Sequence, residues 1–227
     1  MSRGTCAVID LAALGHNVSA ARSAAKSSKV LAVVKADAYG HGLVPVAKAL
    51  AAASDALGVA TFEEGVALRQ AGIQHPVLLV EGVLSEAQLQ QAAEYGFQIV
   101  VHQPWQLSML LESHLSCALS VWLKVDTGMH RLGFAEPGCA LFWQQLQNSP
   151  KVKDAVLMSH LACADEAAHP LNQQQGEVFQ RLCRSVRVQQ ASLANSAATL
   201  DRPEFHYQWV RPGLMLYGAS PFPDRLA

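Results

Sequence analysis

One lysine in this sequence stands where a reactive amine would be useful. Lys35 directly follows the apolar run from Val30 to Val34 in the stretch VLAVVKADAYGHG. A run without polar alternation is typical of a strand buried on both faces of a parallel sheet, and such sheets bind ligands at the carboxyl ends of their strands. A deprotonated lysine amine in that position can form a Schiff base with an aldehyde. The structural alternative is a lysine whose ammonium extends from the rim into water.

Other polar residues follow apolar runs at comparable positions. They lie in LKVDTGMHRLG, MSHLACAD, ASLANSAAT and VRPGLMLYG, and in the loop after Lys35. If the runs are parallel strands, their carboxyl ends share one edge, so we expect these residues to converge there. The candidate site residues are Lys35, Tyr39, Lys124, Arg131, His160, Asn195, Ser196, Arg211, Gly213 and Leu214.

Part of this set is suited to a phosphate group. The Ser196 hydroxyl and the backbone N–H groups of Gly213 and Leu214 can bind phosphate, because barrels bind it in the loops after strands seven and eight. NSAAT is equally an ordinary helix N-cap. His160 alone is typical of a hydrogen-bonded core histidine, and Tyr39 alone is typical of a loop aromatic.

Taken together, a strand-end lysine, a phosphate site and an arginine fit an aldehyde cofactor with a phosphate arm. Pyridoxal 5′-phosphate is such a cofactor, held by a lysine with an Asp or Arg facing its ring nitrogen. Arg211 is the candidate for that partner. An arginine is always charged, so it leaves the ring nitrogen unprotonated and weakens the ring as an electron sink. A weaker sink suits proton exchange at a single carbon.

The pattern of elements predicts the fold that positions these residues. Apolar strand candidates lie at residues 30–35, 57–60, 77–81, 98–101, 119–126, 155–160, 191–194 and 210–217. Segments of helical composition lie at residues 43–53, 62–71, 85–95, 104–112, 136–147 and 171–186, with caps at Ser85 and at Thr61, which has Glu64 three positions later. Strands that alternate with helices predict an α/β protein, a (β/α)₈ TIM barrel formed as one domain by residues 1–227. An open, doubly wound sheet is the alternative.

Composition argues against several classes of protein. The net charge is −1, and no basic run predicts a nucleic-acid surface. Five scattered cysteines without CxxC spacing predict reduced thiols, and we expect no metal. The first residues lack the apolar core of a signal peptide, and no apolar run reaches the ~20 residues of a membrane span. We therefore expect a soluble, cytoplasmic protein that contacts neither membranes nor nucleic acid.

Five motifs resemble those of one family, in the same order. AVVKADAYGHG resembles the cofactor-lysine signature of bacterial alanine racemases, and LKVDTGMHRLG, SHLACAD, LANSAATL and VRPGLMLYG follow in that family's order. The resemblance covers nearly the whole chain and implies the N-terminal, pyridoxal-phosphate-binding TIM barrel of such an isomerase. It also implies two-base racemisation of L-alanine and D-alanine, either for peptidoglycan synthesis or for alanine catabolism.

The resemblance implies roles for the residues around the cofactor. Lys35 would hold the cofactor covalently and act as the base on one face of the substrate. Arg211 would face the pyridine nitrogen with His160 supporting it, and Asn195 would lie beside the ring. The phosphate would be bound by Tyr39, Ser196, Gly213 and Leu214.

Two further residues acquire roles in the same way. Arg131 would contact the cofactor's phenolic oxygen and the carboxylate of the substrate. Lys124 matches a lysine that this family often carbamylates, and the added negative charge would pair with Arg131 and fix its orientation.

The chain departs from the family at its C-terminus. Alanine racemases continue into a second, mainly β domain, and inversion at Cα needs a proton donor on each face of the substrate. The resemblance implies that the second base is a tyrosine from that domain of the partner subunit, and no tyrosine of this chain lies in a matching segment. We therefore expect a homodimer for the full-length protein and an inactive fragment for this chain alone. Residues 1–10 are expected to extend from the barrel and to pair with the second domain.

Two other functions remain open at this point. One is a single-domain protein that stores or delivers pyridoxal phosphate, although the lysine motif of that family differs from VKADAYGHG. The other is a barrel without a cofactor that binds a phosphorylated metabolite, which leaves Lys35 and Arg211 unexplained.

Overall fold

The computed structural model describes residue 4 and residues 6–224, which contain a closed barrel of eight parallel strands. The ring closes where Lys29 and Val30 of the first strand pair with Trp209 and Val210 of the last. The predicted (β/α)₈ barrel is therefore confirmed, and the open sheet is not formed. The strands are β1 (Lys29–Val33), β2 (Ala56–Val59), β3 (Val77–Leu79), β4 (Gln98–Val101), β5 (Leu119–Lys124), β6 (Val152–Met158), β7 (Ala191–Ser192) and β8 (Trp209–Val210).

Helices connect successive strands and cover the outside of the barrel. They are α1 (Leu11–Ala25), α2 (Lys35–Gly40), α3 (Leu43–Ala51), α4 (Phe62–Gln70), α5 (Glu86–Glu94), α6 (Pro104–Glu112), α7 (Glu136–Asn148), α8 (Pro170–Ser185) and α9 (Ser196–Asp201). Two 3₁₀ helices, Pro203–Phe205 and Leu214–Tyr217, flank β8. The predicted caps are present, because the Thr61 and Ser85 side chains accept hydrogen bonds from the first turns of α4 and α5.

The first helix, α1, is missing from the sequence-based prediction. Gly15 and Asn17 within it are weak helix formers, so its composition gives little signal. Asp10 caps it instead: its Oδ1 accepts hydrogen bonds from the amides of Ala12 and Ala13 at 2.9 and 3.0 Å. Because α1 precedes β1, it does not change the order of the barrel.

Apolar side chains fill the interior of the barrel. Trp122 and Trp209 have ring centroids 5.4 Å apart, and their indole N–H groups donate to Gln98 and Gln190. The polar residues beyond the strands therefore lie over a packed core and not over a pore. The interior cluster is Leu31, Ala56, Leu78, Val100, Trp122, Val156, Met158 and Trp209.

Two predicted strands end earlier than their apolar runs. The prediction of a strand over residues 210–217 is wrong, since Pro212 has no N–H to donate and Leu214–Tyr217 form a 3₁₀ helix. The first strand likewise ends at Val33, before Lys35. The two candidate residues at these ends, Lys35 and Arg211, consequently lie in connecting turns.

The terminal extension is only partly described. Of the predicted extension over residues 1–10, residues 1–3 and 5 lie outside the described residues. Residues 6–10 form neither helix nor strand, and Val8 is 88% exposed. All five cysteines are free. No helix in the described part of the chain combines the length and apolar character needed to cross a membrane.

Candidate active site

All ten candidate residues line one cavity at the carboxyl end of the barrel. Its volume is about 320 Å³. Residues far apart in the chain meet here because the ring of strands closes. The lining consists of the candidates Lys35, Tyr39, Lys124, Arg131, His160, Asn195, Ser196, Arg211, Gly213 and Leu214, and of Val33, Val80, Met158, Asp165, Ala197 and Pro221.

Lys35 begins a single left-handed helical turn, α2. Residues 36–39 all have φ of 53–54°, a conformation that costs an L-residue about 1–2 kcal/mol. The Asp37 carboxylate accepts a hydrogen bond from the Leu43 N–H at 2.7 Å, which ties the turn to the start of α3. This turn places Lys35 and Tyr39, four positions apart, on the same cavity.

Ser196 connects the start of α9 to the turn after β8. Its Oγ accepts hydrogen bonds from the Gly213 and Met215 N–H groups at 2.9 and 3.3 Å. Among the described residues, no acceptor bonds the backbone N–H groups of Ser196, Ala197 or Leu214. Free amides at the start of two helical turns are well suited to bind an anion such as phosphate.

Gly213 leaves room for the Tyr39 phenol. A Cβ at position 213 would lie 2.5 Å from Tyr39 Oη and 3.4 Å from Val33 Cβ. The Tyr39 hydroxyl therefore lies against the same backbone that supplies the free amides. Tyr217, which has no predicted role, stacks on Tyr39 with 4.8 Å between ring centroids and donates its hydroxyl to the Val33 carbonyl at 3.0 Å.

Arg211 is buried, and its guanidinium donates to oxygen atoms at the carboxyl ends of β6 and β7. Its Nη1 donates to Ser192 Oγ at 2.5 Å, and its Nη2 donates to the Ser159 carbonyl at 2.6 Å and approaches His160 Nδ1 at 3.3 Å. Burial lowers the pKa of Arg211 to about 10, which leaves it a cation at neutral pH. Burial and then the Arg211 charge lower the pKa of His160 well below its usual value, so the imidazole is neutral. Because arginine only donates, Nδ1 of this neutral ring is an acceptor.

Lys124 is the most deeply buried lysine at the site. It is 5% exposed. No described residue accepts a hydrogen bond from its ammonium or forms an ion pair with it. Burial, followed by the charges of Arg211, Arg131 and Lys35, lowers its pKa to about 8. The lining thus holds four basic side chains and, among the described residues, one carboxylate, Asp165. Such a cavity favours an anionic ligand.

Sequence reasoning missed two residues that support the site. Asp165 lines the cavity, although its motif was recognised only for His160. Gln175 of α8 is fully buried; its Nε2 donates to the His160 carbonyl at 2.9 Å, and its Oε1 accepts from the Ala162 N–H at 2.9 Å. It lies within the run NQQQ, where only the orientation of the helix decides which glutamine faces inward.

Comparison with known proteins identifies the family. A profile described as alanine racemase, N-terminal domain, matches residues 9–221. The chain belongs to the alanine racemase N-terminal domain family. The resemblance seen in the motifs is thereby confirmed. In the described part of the chain, no group of three or more His, Cys, Asp or Glu side chains is arranged to hold a metal ion.

Several relatives of this family cover nearly all of the chain. The alanine racemase of Nitrosococcus oceani is 48% identical over 95% of this chain and 60% of its own length. The catabolic alanine racemase of Pseudomonas aeruginosa is 45% identical over 95% of this chain and 60% of its own length. The crystal structure of the biosynthetic alanine racemase from Pseudomonas aeruginosa has a TM-score of 0.92 and 40% identity, over 96% of this chain and 61% of that chain. The chain therefore spans about 60% of the length of the curated relatives it matches.

Proposed function

We propose that this chain is the cofactor-binding barrel of a pyridoxal-phosphate-dependent alanine racemase. The observation that carries the proposal is that one cavity unites Lys35, the buried Arg211 and free backbone amides beside Ser196. A lysine amine, a fixed cation and a phosphate site are the groups that this cofactor requires. The single-domain cofactor carrier is disfavoured, because the matched relatives are longer racemases.

The residues fit the cofactor by chemistry. Bound pyridoxal phosphate supplies a ring that withdraws electrons and so acidifies the Cα–H of an amino acid. Lys35 would hold the cofactor covalently and carry the proton on one face of the substrate. Arg211, already bonded to two oxygens, would face the ring nitrogen without transferring a proton to it, with His160 supporting Arg211 and Asn195 beside the ring. Tyr39, Ser196, Gly213 and Leu214 would bind the phosphate.

Arg131 is proposed to bind the cofactor's phenolic oxygen and the substrate carboxylate, and Lys124 is proposed to orient Arg131. Arg131 is exposed at the mouth of the cavity, where a guanidinium can bind the carboxylate of alanine. Lys124 has a pKa of about 8, so a substantial fraction of its amine is neutral near that pH and can react with carbon dioxide. The amine nitrogen would form a bond to the carbon of carbon dioxide and lose one proton to solvent. The resulting carbamate would be negative and would pair with Arg131, which fixes the orientation of the guanidinium.

The complete activity is proposed for the longer protein. Of the four tyrosines of the chain, all described, Tyr39 alone lines the cavity, and it lies at the phosphate site. We propose that the second base is a tyrosine of the second domain of a partner subunit in a homodimer, and that residues 1–10 pair with that domain. Five free thiols support a cytoplasmic location. Relatives are named both catabolic and biosynthetic, so either direction of alanine metabolism fits.

A trapping experiment tests the cofactor assignment. The purified chain is incubated with pyridoxal phosphate, reduced with borohydride and mapped by peptide mass spectrometry. We expect the pyridoxyl adduct on Lys35, in preference to exposed lysines such as Lys48. A Lys35→Arg variant keeps the charge and should lose the adduct. Adducts spread over surface lysines, with none on Lys35, would refute the assignment.

A further inference from the structure

Glu64, at the start of α4, contacts more than its own helix. The sequence pattern Thr61 to Glu64 is that of a capping box, and the Thr61 hydroxyl does accept the Glu64 N–H at 3.3 Å. The Glu64 carboxylate, however, bonds one residue that precedes its helix and one residue of the neighbouring connection. Its Oε2 accepts from the Ala60 N–H at 2.8 Å, and its Oε1 accepts from the Asp37 N–H at 3.1 Å.

The second of these bonds joins two neighbouring strand–helix units. Asp37 lies in the left-handed turn α2, whereas Glu64 follows β2. Within the connection itself, the Asp37 side chain bonds Leu43 N and the Asp37 carbonyl accepts from Gly42 N. Glu64 adds a side-chain acceptor from outside that connection to a turn whose φ angles are unfavourable for L-residues.

We propose that Glu64 is a positioning residue for the cofactor site. Its carboxylate holds the left-handed turn in place and thereby fixes Lys35 relative to Tyr39. This inference rests on the proposed function, since these two residues are assigned to opposite ends of one ligand. If the turn were loose, ordering it would cost free energy on binding, and affinity would fall.

A carboxylate suits this position better than an amide. Two N–H donors, of Ala60 and Asp37, face the two oxygens of Glu64. A glutamine has one oxygen, and we expect it to keep the shorter, local bond from the Ala60 N–H. Its NH₂ group would then face the Asp37 N–H, and the bond to the turn would be lost. Glu64→Gln therefore changes little in volume but removes one of the two contacts.

Hydrogen exchange of the cofactor-free chain tests the contact directly. We expect Glu64→Gln to speed exchange at least tenfold in residues 35–42, while residues 65–70 of α4 keep their protection. The matched control is Glu63→Gln, because Glu63 is the exposed neighbour and, among the described residues, its side chain bonds only Gln88, at 3.5 Å. Faster exchange in α4 with an unchanged turn would mean that Glu64 is only a helix cap, and would overturn the proposal.

Affinity for pyridoxal phosphate, measured by trapping on Lys35, gives the second readout. We expect Glu64→Gln to raise Kd about tenfold, and Glu63→Gln to leave Kd unchanged. Equal affinities for both variants would overturn the positioning role.

Should wild type form no Lys35 adduct, the proposed function fails, while hydrogen exchange still decides whether Glu64 holds the turn. Thermal unfolding checks folding, and Glu64→Asp, too short to span both donors, replaces Glu64→Gln if that variant does not fold.

Discussion

At the scale of single residues, the burial of Lys124 makes the stability of the chain depend on pH. Folding removes its ammonium from water and places it near Arg211, Arg131 and Lys35. Its pKa falls from 10.5 to about 8. The unfolded chain therefore binds more protons between these pH values, so stability rises as the pH rises through that window. Below pH 8 the charged lysine is a net cost to the cofactor-free fold.

Replacing this lysine should therefore stabilise the cofactor-free chain. Lys124→Met keeps the side-chain length without the charge, and we expect it to raise the free energy of unfolding at pH 7 by about 1–3 kcal/mol. The gain should shrink towards pH 10, where the wild-type amine is neutral. Urea unfolding at both pH values, in buffers free of carbon dioxide, measures this.

The control for that measurement is the exposed Lys48→Met, which should change stability little at either pH. A Lys124→Met variant that is destabilised equally at both pH values would contradict the assignment of the cost to charge burial.

At the scale of elements, the site depends on where strands stop. β1 ends before Lys35 and β8 ends before Arg211. The segment that follows each strand then turns across the open end of the barrel. The turn after β8 lies against the turn after β1, because Gly213 has no Cβ and the Tyr39 phenol occupies that space. The proposed phosphate site thus lies between two connections that no local sequence pattern links.

A methyl group at position 213 should disturb this contact selectively. In Gly213→Ala the Cβ would meet Tyr39 Oη at 2.5 Å, and the phenol can move because it is the end of a flexible side chain. We expect the affinity for pyridoxal phosphate to fall about tenfold, and the affinity for pyridoxal, which lacks the phosphate, to change less. Trapping on Lys35 with both compounds measures the difference.

Gly15→Ala is the control for Gly213→Ala, because it adds the same methyl group at a position with no neighbouring atoms among the described residues. Gly15 lies inside α1 with open space around it, so alanine should stabilise the chain by roughly 0.5–1 kcal/mol and leave affinity unchanged. Equal losses for pyridoxal and its phosphate in Gly213→Ala would indicate general damage to the site and not loss of a phosphate contact.

At the scale of the whole molecule, the proposed function assigns this chain one side of a two-sided reaction site. Inversion at Cα requires proton donors on both faces, and in that proposal Lys35, which lines the cavity, serves one of them. The relatives extend well beyond the matched region, since the chain covers about 60% of them. We propose that the remaining proton donor lies in a region that corresponds to this additional length of the relatives.

The chain alone, loaded with pyridoxal phosphate, should therefore not convert L-alanine into D-alanine. We expect chiral chromatography to show less than about a thousandth of the turnover of the longer protein, a loss typical of removing an acid–base group. Wild-type turnover by residues 1–227 would refute the proposed location of the second base.

The sequence alone predicted the barrel and the meeting of the ten candidate residues at one end of it, while the roles of these residues stay predictions. Unbroken apolar runs predict buried strands, and polar residues directly after them predict the open end. The prediction failed where the backbone turns against its local preference. The apolar run 210–217 contains a 3₁₀ helix after Pro212, and the four residues after Lys35 are left-handed although none is glycine.

Only the tertiary structure decided the contacts between segments. Glu64 bonds Asp37, and Gln175 supports the backbone at His160. Burial and then the charges of nearby cations lower the pKa of Lys124. Local sequence records the propensity and burial of a segment, but ring closure, helix orientation and desolvation arise from residues far apart in the chain. These long-range contacts bring the side chains at the strand ends together, and they form one cavity whose lining is mainly basic.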